Sequence, residues 1–203
     1  MTESTRTLET LELVGGALCL DFVNTINSRL NPEHDYLIQY SDLVGWANKL
    51  GILSPTQANQ LEKRAKQNQE DAERVINTAQ RIRELLYRIF SNAAKRSEPN
   101  KKDLEMFVTA FGEAVSRGHL VKKDNRYQTS WKLDETFDAV LLPILHSAGQ
   151  LLHSEDLGHV KECPGCGWLF LDISKNQSRR WCSMNTCGAR DKMRRYHKRK
   201  QAK

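Results

Sequence analysis

Apolar side chains recur every three to four positions over most of the first 150 residues, which predicts a helical body. This spacing runs through residues 40–50 and, over a longer stretch, through 70–95. A third stripe with the same spacing covers 101–116. The residues expected to face inward in the last two helices are Val75, Ile82, Leu85, Leu86, Ile89 and Phe90, and then Leu104, Phe107, Val108, Phe111 and Val115.

Capping and turn residues between these apolar stripes predict where the other elements begin. Ser54, Pro55 and Gln57 have the arrangement of a capping box with proline in the first turn, which predicts a helix from 55 to about 67. Apolar residues alternate on both sides of 124–125, which predicts a β-hairpin over 119–133. Asp134 is expected to cap a final body helix reaching about residue 153, which Pro143 either starts or kinks.

Two segments complete the body. Residues 13–26 are apolar and are interrupted by Gly15 and Gly16, which indicates a turn leading into a buried strand or helix. Residues 155–158 have the composition of a linker. The prediction is therefore a mainly α body with a small antiparallel β element over residues 1–157, followed by a second unit over 158–203.

Composition excludes several classes of protein. The chain has 203 residues, of which 39% are hydrophobic and 28% charged, as expected for a globular protein with a substantial core. It contains no run of about 18 apolar residues that would form a membrane span. Residues 1–13 lack the basic and apolar regions of a signal peptide. We therefore expect a cytoplasmic protein with no membrane partner.

Basic residues are concentrated at one end of the chain. From residue 161 onward there are 12 Lys and Arg against 3 Asp and Glu, which gives this segment a charge of +9. The preceding 160 residues carry −3, so the total is +6. Such asymmetry indicates either a polyanion-binding end or a solvated basic tail.

Four of the five cysteines lie in the same segment, and their spacing is that of a metal site. Cys163 and Cys166 form a CxxC knuckle, and Cys182 and Cys187 follow after 15 residues. Four thiolates form a closed tetrahedral site, which predicts one structural Zn²⁺ rather than a catalytic one. A redox disulfide pair and an iron–sulfur cluster are the alternatives. We expect a treble-clef or ribbon-like module with a small core of Trp168, Phe170 and Trp181.

A basic helix is predicted from about Gly188 to the end of the chain. It would carry two rows of cations, and Met193 and Tyr196 would dock on the zinc core. A zinc module that positions such a helix is common in nucleic-acid-binding proteins. The residues predicted to contact nucleic acid are Arg179, Arg180, Arg190, Lys192, Arg194, Arg195, Lys198 and Arg199.

These motifs resemble the CGNR zinc-finger family. The resemblance lies in the CxxC knuckle followed by an aromatic residue and Asp172, in the Trp181-Cys182-Ser183 stretch, and in the 187–190 sequence CGAR. Ala189 stands where the family has Asn. The stretch LCLDFVNT over 18–25 resembles the ABATE domain that usually precedes this finger. The resemblance implies a bacterial, stress-related transcription regulator whose body senses a signal or ligand.

Three polar residues interrupt the apolar stretch near the N-terminus: Asp21, Asn24 and Thr25. They either line a ligand pocket or brace a buried element. No GxGxxG, Walker, GxSxG or HExxH motif is present, so we do not expect an enzyme. The sequence therefore predicts a DNA-binding regulator, with homodimerisation open. The alternatives are an RNA- or protein-interaction module and, less favoured, an enzyme with an unrecognised pocket in the body.

Overall fold

The computed structural model describes residues 7–201. The first six residues of the predicted body and the last two of the predicted zinc module lie outside this range. The described residues form seven α-helices: α1 (Leu18–Val23), α2 (Tyr40–Lys49), α3 (Pro55–Gln67), α4 (Gln69–Ala94), α5 (Lys101–Ser116), α6 (Leu142–Leu152) and α7 (Ala189–Gln201). Two antiparallel hairpins pair β1 (His119–Lys123) with β2 (Arg126–Ser130) and β3 (Val160–Glu162) with β4 (Leu169–Leu171). The predicted mainly helical class is confirmed.

The short helix α1 lies at the centre of the body because four of its six residues are buried. It packs against α4 and α6, and the long helix α4 also contacts α2, α3 and α5. The fully buried side chains of Phe22 and Trp46 pack against each other with their ring centroids 5.5 Å apart. Ser54 caps α3 by accepting a hydrogen bond from the Gln57 backbone N–H, as the capping-box pattern predicts.

The prediction for α5 was partly wrong. Phe107 is buried, but Leu104, Val108 and Val115 are exposed, with Val108 at 63%. The helix packs on α4 and α6 through Phe107 and the half-buried Phe111, which stack on each other, while the other three predicted residues face solvent. The β1–β2 hairpin has the predicted turn, and His119 pairs with Ser130 in its register.

The last body helix begins later than predicted. Residues 134–138 form turns whose polar groups bind other parts of the chain: Arg64 donates hydrogen bonds to the carbonyls of Asp134 and Glu135, and Arg117 forms an ion pair with Asp138. A 3-10 turn follows, and α6 then begins at Leu142 with Pro143 in its first turn. Proline therefore starts this helix and does not kink it.

The C-terminal hairpin packs directly on the body. Residues Glu155–His159 form a 3-10 helix where a linker was predicted, and β3 follows without a gap. Strands β3 and β4 contact α4, and β4 also contacts α1.

No helix among residues 7–201 is long and apolar enough to span a membrane.

Candidate functional site

Four cysteines come together at the end of the β3–β4 hairpin. Cys163 and Cys166 lie in the knuckle between the two strands, where the Gly167 N–H donates to the Cys163 carbonyl at 2.8 Å. Cys182 follows an irregular segment, and Cys187 lies in a single π-helical turn, Met184–Gly188, that leads into α7. A hairpin knuckle followed by a ligand-bearing helix start is the predicted treble-clef layout.

The geometry of the four thiols fits a tetrahedral metal ion. All four Sγ atoms lie within 4.8 Å of one another, and all four side chains are buried. The Sγ atoms of Cys166 and Cys182 are 3.5 Å apart, and those of Cys182 and Cys187 are 3.7 Å apart. Zn–S bonds of 2.3 Å in a tetrahedron require S···S distances of about 3.8 Å. The cavity between the thiols therefore has the size that zinc needs.

The thiols also create an electrostatic requirement for a cation. Hydrogen bonds from the neighbouring thiols, above all that of Cys166, lower the pKa of Cys163. Hydrogen bonding with the other thiols, above all with that of Cys163, raises the pKa of Cys182. Four thiolates this close repel one another, so all four ionise together only around a metal ion. The predicted aromatic core encloses the cluster, since Trp168, Phe170 and Trp181 are all buried.

A buried carboxylate holds the loop between the two cysteine pairs. Asp172 is fully buried, accepts hydrogen bonds from Ser174 and from the Arg179 backbone N–H, and forms an ion pair with Lys161 at 2.6 Å. Burial raises the pKa of this carboxyl, but the Lys161 ammonium and the other donors outweigh burial and hold the pKa well below its usual range. The Asp172 carboxylate therefore caps the turn that begins at residue 172, and its ionic partner is Lys161.

Helix α7 extends away from the zinc module with its cations in solvent. Arg190, Lys192, Arg194, Arg195, Lys198 and Arg199 are all exposed. The prediction that Met193 and Tyr196 dock on the zinc core was wrong, because their side chains are 60% and 54% exposed. The aromatic residues of the module already fill its core, so the helix contacts it only through its first turn.

The two arginines before the second cysteine pair have different surroundings. Arg179 is half-buried, stacks over the Phe170 ring at 4.5 Å, and donates hydrogen bonds to the carbonyls of Trp181 and Cys182. Arg180 is exposed and lies over the Trp181 ring at 4.9 Å. Arg179 therefore stabilises the zinc loop, whereas Arg180 remains accessible to a partner.

One polar residue of the LCLDFVNT stretch, Asn24, connects the body to the zinc module. Asn24, only 1% exposed, forms two hydrogen bonds with Leu169 in β4: its side-chain N–H₂ donates to the Leu169 carbonyl at 2.8 Å, and its side-chain oxygen accepts from the Leu169 N–H at 2.9 Å. The amide side chain thus pairs with the edge of β4 as a neighbouring strand would. The indole N–H of Trp168 also donates to the Ile26 carbonyl.

The other two predicted residues brace the elements around α1. The Asp21 carboxylate accepts a hydrogen bond from the Gly15 N–H at 2.8 Å, and burial raises its pKa. Thr25 is fully buried, and its hydroxyl and carbonyl both accept hydrogen bonds from Arg83. Arg83 in turn forms an ion pair with Asp35.

Sequence patterns did not identify Arg29, which connects the body to the knuckle. Its backbone N–H donates to the Cys166 carbonyl at 2.7 Å, and its buried guanidinium forms an ion pair with Glu84 and stacks over Tyr87. Gly167 faces it with φ +73°, and a Cβ atom there would lie 2.6 Å from the Arg29 Cβ. Glycine is required at this position by both its backbone conformation and the close approach.

Replacing Asn24 by alanine is expected to destabilise the protein by about 2–3 kcal/mol, because the buried N–H and C=O of Leu169 lose their partners. The measurement is urea unfolding of the zinc-loaded protein. Asn92→Ala is a matched control, since Asn92 also donates to a carbonyl but lies on the surface of α4. Equal unfolding free energies for Asn24→Ala and Asn92→Ala would refute the bracing role.

Two family models match the chain. The ABATE model, described as "Putative stress-induced transcription regulator", matches residues 16–155. The model described as CGNR zinc finger matches residues 159–200. The search of the curated proteins gives no match. The zinc-finger match and the cluster of Cys163, Cys166, Cys182 and Cys187 agree: the chain holds one structural zinc ion.

Proposed function

Because the chain belongs to the ABATE family and carries a CGNR zinc finger, we propose that it is a transcription regulator that binds DNA through α7. In this proposal the zinc module positions the helix, and the helical body senses a signal. Arg190, Lys192, Arg194, Arg195, Lys198, Arg199 and Arg180 contact phosphates, and one or two of the arginines read guanine edges in the major groove.

The observation that carries the proposal is a helix whose cations are all exposed and which starts two residues after the zinc ligand Cys187. Apart from Asp191 and the half-exposed Met193 and Tyr196, α7 presents almost only basic and polar side chains. Nothing in the described body covers this surface, since none of the α7 residues is buried. An exposed, rigidly anchored cationic helix is suited to a phosphate backbone.

We propose residues 1–157 as the sensing unit and 158–203 as the DNA-binding unit. The hydrogen bonds of Asn24 and Arg29 support communication between them, because a change in the body reaches the knuckle through these contacts.

We also propose a homodimer. The exposed Val108 and Val115 on α5 are apolar residues available for such contact, and light scattering of the zinc-loaded protein at several concentrations tests it.

The test of DNA binding is a fluorescence-anisotropy titration with random duplex DNA at several salt concentrations. If about five phosphates are neutralised, log affinity falls with log salt at a slope of roughly −4.5. Chelation of zinc is expected to abolish the binding. Absence of binding at low salt would refute the proposal, and tighter binding to structured RNA than to duplex DNA would favour the alternative of an RNA-binding module.

Asp191 is expected to limit the DNA affinity of α7. Its carboxylate forms ion pairs with Arg194 at 2.7 Å and Arg195 at 3.0 Å, so it competes with phosphate for both guanidinium groups. The Asp191 side chain is only 10% exposed, but both guanidinium groups lie in solvent, and ion pairs at the surface contribute about 0–1 kcal/mol each. Asp191→Asn is therefore expected to tighten binding about 3- to 10-fold in the same titration. Glu98→Asn, an exposed acid far from α7 in sequence, makes the same change in net charge and is expected to leave affinity nearly unchanged.

A further inference from the structure

A large cleft separates the zinc module from the loop that follows α1. It has a volume of about 850 Å³, within the range of about 300–1,000 Å³ that small-molecule sites occupy. One wall is formed by the 27–36 loop, with Glu33 and His34, and the other by the zinc module, with Trp168 and Arg190. Glu12 completes the lining. A second groove, between α4, α5 and α6, has only about 290 Å³.

The charge of the cleft is negative although the protein as a whole is positive. Glu12 and Glu33 line the cleft with carboxylates, of which Glu33 already accepts a hydrogen bond from the Asn31 side chain at 2.6 Å, and Arg190 contributes a guanidinium. Cys166, Cys182 and Cys187 also line the cleft, and a zinc ion with four thiolates carries a formal charge of about −2. Glu12 has no cationic partner among the described residues, and its hydrogen bond from the Thr186 hydroxyl is long, at 3.5 Å. The lining therefore offers negative charge to a ligand.

The remaining lining groups are suited to an amine. The aromatic rings of Tyr36, Trp168 and His34 border the cleft, and aromatic rings next to carboxylates attract organic cations. The side-chain oxygens of Thr10, Asn31 and Thr186 add further acceptors for N–H groups. The four cysteines are the sole cluster of three or more ligating groups among residues 7–201, so these acids do not form a preorganised metal site.

We infer that this cleft binds a small organic cation, a protonated amine, and that the bound cation holds the 27–36 loop against the zinc module. The loop already contacts a zinc ligand directly, since the Arg29 N–H and the Ser28 hydroxyl both donate to the Cys166 carbonyl, at 2.7 and 3.3 Å. The inference specifies the ligand class for the sensing role proposed above, and in that respect it rests on the proposed function.

Calorimetric titration of the zinc-loaded full chain with spermidine, in the absence of DNA, tests the inference. Spermidine is a suitable probe because a protein of charge +6 repels polyamines in general, so saturable binding requires a local negative site. Succinate at the same ionic strength is the control ligand of opposite charge. We expect one spermidine per chain and a rise in melting temperature on its addition.

Variants locate the site. Glu12→Gln and Glu33→Gln are each expected to weaken spermidine binding about tenfold, since each removes a charge-assisted hydrogen bond. Glu98→Gln removes an exposed acid that does not line the cleft and is expected to leave binding unchanged. Zinc content and the melting temperature without ligand verify that each variant is folded.

The outcomes are distinct. Spermidine binding that is weakened by Glu12→Gln or Glu33→Gln, and not by Glu98→Gln, supports the inference. No saturable heat, preferential binding of succinate, or equal weakening in all three variants overturns it. DNA binding is measured on the same preparation, so a protein that binds DNA and no spermidine refutes this inference and leaves the DNA-binding proposal standing.

Discussion

Removal of zinc is expected to unfold the zinc module and to destabilise the helical body with it. Structural zinc ions contribute about 10–16 kcal/mol of apparent binding free energy to small modules at pH 7. Here the module also supplies part of the body's core, because Leu169 and Phe170 in β4 are fully buried and β4 packs on α1 and α4. Exposure of these two side chains costs about 3–6 kcal/mol. For a protein of this size, that lowers the melting temperature by about 6–24 °C.

Calorimetric unfolding with and without a chelator measures this effect. Cys182→Ser is expected to reproduce the effect of the chelator, because three thiolates leave the tetrahedron incomplete. Cys19→Ala is the matched control: Cys19 is equally buried but lies in α1, outside the cluster, so this variant is expected to retain one zinc per chain. A body transition that keeps its temperature after zinc removal would show that the two parts fold independently, contrary to the contacts described above.

Charge reversal of Arg194 and Arg195 is expected to weaken binding to duplex DNA at least about 100-fold. Each reversal removes one phosphate contact and adds a repulsive charge, so the salt slope is expected to become shallower by about 1.8. Both side chains are exposed on α7, and their only ionic partner among the described residues is Asp191. The effect is expected for all DNA sequences, since phosphate contacts carry no sequence information.

The control makes the same change in net charge on another helix. Lys63→Glu with Lys66→Glu reverses two exposed cations on α3, and it is expected to change affinity only a few-fold. Arg194→Gln with Arg195→Gln is expected to be intermediate, and circular dichroism verifies that α7 remains helical. Equal losses in the α3 and α7 reversals would attribute binding to net charge alone, and an unchanged affinity in the α7 reversal would exclude this helix from the interface.

The sequence by itself determined the features whose causes are local. The cysteine spacing identifies the ligand set because both pairs are close in the chain, and their separation is short enough for one ion to reach all four. The capping box at Ser54 and Gln57 and the register of the β1–β2 hairpin are also local, since they depend on residues within one turn or one hairpin. The basic character of α7 follows directly from its composition.

Tertiary structure decided which side chains are buried and which distant residues meet. Asn24 and Leu169 are 145 positions apart, so no spacing rule links them, and the role of Asn24 becomes visible only when α1 packs on β4. Arg83 is buried in α4, where the Asp35 carboxylate neutralises it and Thr25 accepts its hydrogen bonds. Val108 and Met193 are exposed because no element among residues 7–201 covers them. Helical periodicity predicts that a helix has an apolar side, but the presence of a partner on that side depends on the packing of the whole chain.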